Sequence, residues 1–500
     1  MSKQDKKELR QQIACEWLEE NYLNYGSLRH DIVTDRLQIR VADLHSLEDA
    51  SLQNAPEGLQ FRGKETWRNL TDKDINTMVC QCVMETAVNI SVTEMWTALK
   101  SDMVPAVHPL REWLDGLRPW NSCEPDWIDF VASQVHVMDA ASATDRCEAP
   151  VDRHSVAVDG RSATPVELHS QSTASRASDL QCSASETNYS NANYSSHSER
   201  SEADRLWRIC FKKWFVAMVA SWMKDEVVNH TVLVLVGRQG IFKTTWLDNL
   251  IPPELRAYSS KLPLSGQISK DDRLRLCENG LLNIDELDAI CGREMNIVKS
   301  LLTSTDVNER AAYGRLKERR VRLASFCAST NKREFLTDVT GNRRWLPFEV
   351  ESIQNPFHTI IPYELLYAQA KALVEEGYFA YWFDMEEMEV LEAHNEEFRA
   401  QENEEQLLPI LFDVPAEGKG EFMTTAEISD RLATYGGIKK PMSIRKLNAI
   451  LEHHAFKAVR PYVDGKQVRG WLVYKRKQDE IEIKQKELAN KSQRHEDILF

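Results

Sequence analysis

The run Val232-Leu233-Val234-Leu235-Val236 constrains this chain more than any other segment. Consecutive apolar residues with no polar alternation make a strand that must be covered on both faces. Strands of this kind belong to parallel sheets clothed by helices. The next residues narrow the reading further. Gly237-Arg238-Gln239-Gly240-Ile241-Phe242-Lys243-Thr244-Thr245 joins the strand to a helical stretch, Thr244–Leu250. In a strand, glycine loop and helix in that order, backbone N–H groups at the helix N-terminus turn toward an anion. The expectation is a phosphate cradle in which Gly237, Gln239, Gly240, Ile241, Phe242, Lys243, Thr244 and Thr245 bind a nucleotide, ATP being the simplest choice. Lys243 would reach the β- and γ-phosphates, and the Thr244 hydroxyl would bind Mg²⁺. Phe242 departs from the usual GxxxxGK[ST] spacing, which has glycine before the lysine. If that position takes a positive φ, Phe242 is strained, and Gly240 supplies part of the missing freedom.

Other strand ends complete this chemistry. Gly280–Ile284 reads as a second buried strand, delivering Asp285 and Glu286 at its C-terminal end. Asp285 would hold Mg²⁺ through its water shell, and Glu286 would orient or deprotonate the attacking water. The competing reading is a solvated Asp-Glu pair; its place some forty residues after the glycine loop favours the functional one. A third strand, Val321–Ala328, runs into Ser329-Thr330-Asn331, where Asn331 suits a sensor of the γ-phosphate. A fourth, Trp345–Val350, follows Thr340-Gly341-Asn342-Arg343-Arg344. Arg343 or Arg344, presented from a glycine turn, would stabilise transition-state charge, in ring ATPases on the neighbouring subunit. One of the two is expected in a structural ion pair.

At about 100–200 residues per domain, a chain of 500 residues holds two to four units. The sequence divides into a mainly helical N-terminal domain (1–138), a Ser-rich flexible linker (139–201), an α/β core with a helical extension (202–402), a winged-helix-like domain (403–476) and a charged C-terminal helix (477–500). In 1–138, Trp17–Tyr22 reads as helix, Ile32–Val41 as a hairpin, and Trp113, Trp120 and Trp127 as core. The linker is nearly devoid of large apolar residues and cannot offset its ordering entropy; His154, His169 and His197 within it read as solvated. In 403–476, Thr425 is a candidate N-cap, and Asp464-Gly465 is a strong hairpin signal. Helix, helix, hairpin is the order of a winged helix-turn-helix.

The net charge of −15 excludes a surface coated in positive charge but not a local basic groove. Asp306–Arg320 holds Arg310, Arg315, Lys317, Arg319 and Arg320 with Tyr313 among them, suiting a track for single-stranded DNA; ion-paired loop residues are the equal alternative. Arg445 and Lys446, with Lys457, Arg460, Lys466 and Arg469, suit DNA contact by the second helix and the wing. The ten cysteines are scattered, and Cys80 and Cys82 read as buried structural thiols. There is neither a signal peptide nor a run of about 18 apolar residues, so no membrane association and a cytoplasmic location are expected.

These residues together resemble the virulence-associated E family of P-loop ATPases, found on phages, plasmids, pathogenicity islands and other mobile elements and akin to superfamily 3 helicases. The resemblance covers about Ala203–Val350. It rests on VGRQGIFKTT, NIDELD, RAAYGR, ASTNKREFLTD and TGNRRWLPFEV, with HPLREWLDGLRPW resembling the region before the family's ATPase. It implies ATP and Mg²⁺ as cofactors, Asn331 as sensor, Arg343 or Arg344 as arginine finger, and a homo-oligomer, expected to be a hexameric ring. The implied activity is ATP hydrolysis by a DNA helicase or replication initiator. No primase signature is evident in 1–138, so a primase would be a separate partner. The alternative is a nucleotide-switched regulatory or phage-interference ATPase that binds ATP to assemble but does not unwind DNA. A P-loop small-molecule kinase fits less well, because Asn331 and Arg343–Arg344 are not a kinase lid.

Overall fold

The computed structural model describes residues 3–41, 66–139, 201–262, 269–285, 287, 292–310, 317–336, 342–401, 403–416, 420–463 and 465–496. Almost all of the expected linker, Tyr313, Arg315 and Glu286 therefore lie outside the described residues. None of the described helices is long and apolar enough to cross a membrane.

The N-terminal part opens with α1 (Lys3–Leu18) and the strands β1 (Leu28–Asp31), β2 (Arg36–Val41) and β3 (Thr66–Asn69). Then come α2 (Asp72–Thr86), α3 (Val92–Leu99) and β4 (Ala106–Val107). Helices α2 and α3 each begin at a capping box, Thr71 with Asp74 and Ser91 with Glu94, which fixes where they start. The expected hairpin is present as β1–β2, beginning earlier than Ile32. It lies in a four-stranded sheet, β3-β2-β1-β4, of which the sequence reading had only the hairpin. Cys82 is buried as expected, but Cys80, two residues along α2, falls on the solvent face and is exposed.

The next elements, α4 (Pro109–Asp115), α5 (Trp127–Ala132) and β5 (Val135–Val137), pack elsewhere. Strand β5 pairs antiparallel with a distant strand near residue 350, and Leu110, Leu114, Ile128 and Val131 join the largest core cluster. Residues 109–138 thus join the core built around residues 202–395, and Glu112 also pairs with Arg29 of β1. Their tryptophans Trp113, Trp120 and Trp127 are only half-buried.

That core centres on α6 (Glu202–Met223). Trp207, Phe211, Trp214, Phe215 and Trp222 on this helix are fully buried. Each such side chain contributes about 1.5–3 kcal/mol by burial, so α6 is an internal pillar. Behind it stands a six-stranded sheet in the order β5-β12-β6-β11-β8-β7. Its members are β6 (Val232–Val236), β7 (Ser259–Lys261), β8 (Leu281–Ile284), β11 (Ser325–Thr330) and β12 (Trp345–Ile353), all parallel to their neighbours except β5. Between them run α7 (Lys243–Asp248), α8 (Lys270–Glu278), α9 (Gly292–Thr303) and the antiparallel ribbon β9 (Asp306–Glu309) with β10 (Glu318–Val321). The apolar runs at 232–236 and 281–284 are buried at every position, as their lack of alternation predicts.

The expected third strand, Val321–Ala328, is two strands. The chain breaks at Arg322, whose guanidinium is fully buried and donates to the carbonyls of Asn229, Leu301, Leu302 and Ala324. With the Ser304 carbonyl, which also accepts at 3.3 Å, these five acceptors are met at a bend that a continuous strand lacks.

Helices α10 (Tyr363–Glu376) and α11 (Met385–Asn395) cover the sheet. The last part runs α12 (Asn403–Leu411), β13 (Phe412–Asp413), β14 (Glu421–Met423), α13 (Thr425–Gly436) and α14 (Ile444–His453). After these come β15 (Lys457–Val459), the short pair β16 (Tyr462–Val463) and β17 (Lys466–Gln467), β18 (Gly470–Lys475) and α15 (Gln478–Glu496). Strand β18 pairs with β13, β14 and β15, and Gly465 takes φ +78° at the ribbon tip. The N-cap of α13 is Thr424, not Thr425; the Thr425 hydroxyl instead donates to Asn448.

Candidate functional site

Three neighbouring parallel strands deliver their C-terminal ends to one cleft. Strand β11 pairs Thr330 with Val236 of β6 and Ala328 with Ile284 of β8. Strand β11 was reached from β8 yet lies beside β6, so the chain order reverses here. Ligands of open α/β sheets bind at such a crevice. The cleft encloses about 360 Å³, lined by Gln239, Gly240, Phe242, Lys243, Thr244, Thr245, Asp285, Ser329, Thr330 and Asn331.

The loop between β6 and α7 is shaped by backbone geometry. A Cβ on Gly237 would lie 2.8 Å from the Val350 carbonyl oxygen, so only glycine fits between β12 and the loop. Gly240 takes φ +87°. Phe242 takes φ +68°, ψ +16°, the left-handed region that favours glycine. The sequence expectation of a strained position is therefore met, and its ring lies edge-on to Phe357 at 6.2 Å. Left-handed backbone costs a non-glycine residue about 1–2 kcal/mol. Accordingly, Phe242→Gly is expected to be more stable than Phe242→Ala by about 1 kcal/mol, read from denaturant midpoints at equal slope; equal midpoints would contradict the strained backbone.

Lys243 starts α7 and is buried. Its ammonium donates to the carbonyls of Gly237 (2.7 Å) and Arg238 (2.6 Å) and to Asn331 Oδ1 (3.1 Å). The lysine thus links the loop to the end of β11. The Thr244 hydroxyl lies 3.1 Å from Asp285 Oδ1 and 3.0 Å from Ser329 Oγ, which itself donates to Asp285 at 3.1 Å. Lys261, on β7, pairs with Asp285 Oδ2 at 2.6 Å. Partial burial pushes the Asp285 carboxyl up, but hydrogen bonds from Lys261, Ser329 and Thr244 outweigh it and hold the group below its ordinary range. Lys261 and Ser329 are additions to the sequence reading. Ser329 sits one residue from the buried strand end already singled out, whereas Lys261 comes from an edge strand with no motif to mark it.

The donor set suits a hard cation that retains other ligands. Among the described residues no group of three or more His, Cys, Asp or Glu could cage a metal. Mg²⁺ needs no such cage, because it binds through one or two carboxylates together with phosphates and water. Asp285 and the Thr244 hydroxyl provide that kind of site.

Arg343 and Arg344 stand elsewhere. They precede Trp345, which pairs with Val232 at the opposite end of β6 from the loop. The length of that strand, about 13 Å at 3.3 Å per residue, separates them from Gly237. There they line a second cavity of about 410 Å³ with Asn229, His230, Thr231, Thr303, Tyr381 and Trp382. Burial and the charge of Arg344 pull the Lys299 ammonium down to about 8.

The basic cluster is partly structural. Arg320 pairs with Glu278 at 3.5 Å and donates to the Val33 carbonyl, joining the ribbon to the N-terminal part. Arg319 pairs with Asp306 at 2.9 Å yet stays exposed. Arg310 and Lys317 are exposed on either side of residues 311–316, which lie outside the described residues. Arg445 is exposed and Lys446 half-buried at the start of α14, while Arg469 pairs with Glu452.

Residues 190–400 match the virulence-associated protein E-like domain. No curated protein matches the chain. Among solved structures, it is similar to the A form apo structure of NrS-1 C terminal region-CTR (305-718) at 10% identity and TM-score 0.40, covering 92% of this chain and 99% of that one. It is likewise similar to the apo structure of NrS-1 C terminal region (305-718) at 10% identity and TM-score 0.41, with 90% and 97% covered.

Proposed function

We propose that this chain, whose residues 190–400 match the virulence-associated protein E-like domain, is a P-loop ATPase of a mobile genetic element, acting as a ring-forming DNA helicase or replication initiator. The observation that carries the reading is the convergence of Lys243, Thr244, Asp285, Ser329 and Asn331 where β6, β8 and β11 end.

In this reading the loop amides and Lys243 hold the β- and γ-phosphates. When the triphosphate arrives, the ammonium exchanges the carbonyls of Gly237 and Arg238 for phosphate oxygens while keeping Asn331 within reach. Thr244 and Asp285 hold Mg²⁺, which supplies charge neutralisation on the phosphates. Asn331 positions the lytic water, and Glu286, outside the described residues, is the candidate to accept its proton. Arg343 and Arg344 act on the nucleotide of the next subunit, which accounts for their distance from their own loop. The 403–476 part serves as a winged helix that places Arg445 and Lys446 on DNA, and Arg310, Arg315, Lys317 and Arg319 face a single strand. A separate primase completes initiation.

The test is ATP turnover by the purified chain with and without single-stranded DNA, together with oligomer mass with and without nucleotide. A motor predicts turnover that rises with DNA and a nucleotide-dependent ring. ATP binding and assembly without turnover on any DNA would instead select a nucleotide-switched regulator. Phe242 favours that second reading, because a strained bulky residue replaces the glycine next to Lys243.

A further inference from the structure

Helix α10 separates two exposed apolar patches along the chain. Before it come Phe357 and Ile360, 76% and 73% exposed. After it come Tyr378, Trp382 and Met385, 93%, 60% and 81% exposed. Single exposed apolar residues are ordinary, but neighbouring ones mark contact surfaces. Both patches are held in place. The Gln354 amide donates to the Gln134 carbonyl at 2.8 Å, and the Tyr363 hydroxyl to the Asn249 carbonyl at 2.6 Å. Beyond α10, Lys213 donates to the Trp382 carbonyl at 2.9 Å and pairs with Glu387 at 2.6 Å, while the Trp382 ring meets Tyr381 edge-on at 5.3 Å. A surface already ordered saves part of the cost of association.

The patches adjoin opposite ends of β6. Phe357 meets edge-on the Phe242 ring that lines the phosphate cleft. Trp382 lines the cavity of Arg343 and Arg344, at the other end of that strand. The 14 residues of α10 add about 21 Å of helix between them at 1.5 Å per residue. One patch therefore does not cover the other within a chain, whereas a second copy can bring them together.

Their charges are complementary. Ser352 to Tyr363 holds no carboxylate, and the exposed Arg256 lines a cavity with Ile360. Residues 375–393 hold seven carboxylates and neither lysine nor arginine. Of these, Asp384, Glu386 and Glu389 are exposed around Met385. The nearby ammonium groups are already engaged, Lys212 by Asp126 and Lys213 by Glu387. Arg343 and Arg344 are the exception on this side, and in the ring reading their partner is the neighbour's phosphate.

We propose that a second copy of this chain covers the Trp382 patch with its own Phe357–Ile360 segment. This rests on the ring reading, in which Arg343 and Arg344 serve the neighbour's loop, and it names the surfaces that carry them there. Each patch borders one half of that shared site, so closing the contact joins the halves. The two faces differ, so the contact is heterologous and repeats from copy to copy, closing a ring where the rotation allows. Aromatic anchors such as Trp382 and Phe357 supply most of the energy of such a contact, and the charges around them set its register.

Cross-linking of the full chain with ATP and Mg²⁺ tests it, in a parent protein whose exposed Cys80 and Cys123 are changed to serine. An equal mixture of Phe357→Cys and Trp382→Cys is expected to give a covalent dimer with a short bismaleimide. Either variant alone is expected to stay at the parent's background. Trp382→Ala/Met385→Ala is expected to weaken self-association about thirtyfold in sedimentation, the usual cost of losing an interface anchor, with an unchanged melting temperature. Cross-linking of each variant with itself would replace the proposed contact by a two-fold one. A mixture at background in a protein that still assembles, or assembly undiminished in the double alanine variant, would overturn the contact and leave the ring standing. Trp382→Cys shielded from maleimide in the nucleotide-free monomer would show that the patch is covered by its own chain, and would also overturn it. A parent that stays monomeric with ATP would sink the ring reading, and the contact with it.

Discussion

Mixing two inactive variants is expected to restore ATP turnover. Lys243→Ala lacks the phosphate-binding ammonium, and the double variant Arg343→Ala/Arg344→Ala lacks the transition-state charge. An arginine finger is worth about 10³–10⁵ in kcat, so the arginine variant should fall by at least about three orders of magnitude while still binding ATP. Neither arginine can serve its own loop, because they stand at opposite ends of β6. In a closed ring each interface joins one chain's loop to its neighbour's arginines. Random assembly of equal amounts leaves about a quarter of the interfaces with both parts intact, given heterologous head-to-tail contacts. Turnover should therefore return to about a quarter of the wild-type rate, read from phosphate release. A mixture as inactive as its components would place the arginines in a structural role, such as the wall of the cavity they share with Asn229 and Trp382. Undiminished turnover in the arginine variant alone would exclude them from the chemistry altogether.

The parts of this fold that were legible in the sequence are those where one physical demand acts alone. Val232–Val236 and Leu281–Ile284 have to be covered on both faces, and they are. The loop between them needed residues with positive φ, and Gly240 and Phe242 supply it. The bend at Arg322 was hidden because a buried guanidinium held by five carbonyls is a tertiary demand; locally, Val321–Ala328 still reads as one strand. Strand β5 was hidden for a related reason. Three residues, Val135–Val137, carry too little pattern to identify a strand, and their partner lies more than 200 positions away. Pairing of that kind draws residues 109–138 to the sheet, and with them Gln134. Lys261 escaped notice because a lysine on a three-residue edge strand looks like any solvated lysine until β7 is laid beside β8. The candidate site was thus readable in its motif residues but not in the groups that tune them.

That difference bears on the second large effect. Lys243→Ala is expected to lower ATP turnover by about 10²–10³, the cost of losing one preorganised donor from a charged transition state, and to weaken ATP binding as well. Its carbonyl partners, Gly237 and Arg238, lie at the half-exposed or exposed mouth of the loop. Water can replace the ammonium there, so the melting temperature should move by only a few degrees. Asp285→Asn separates the metal from the phosphate contacts. It keeps a side chain of the same shape beside Thr244 and Ser329 but removes the charge that Lys261 pairs with. With excess EDTA its affinity for ATP should match the wild type; with Mg²⁺ the wild type should tighten and the variant should not. Equal Mg²⁺ dependence in the two proteins would move the cation away from Asp285. A Lys243→Ala protein that hydrolyses ATP at the wild-type rate would move the nucleotide away from the loop, because the Lys243 ammonium is what links the loop carbonyls to Asn331 at the end of β11.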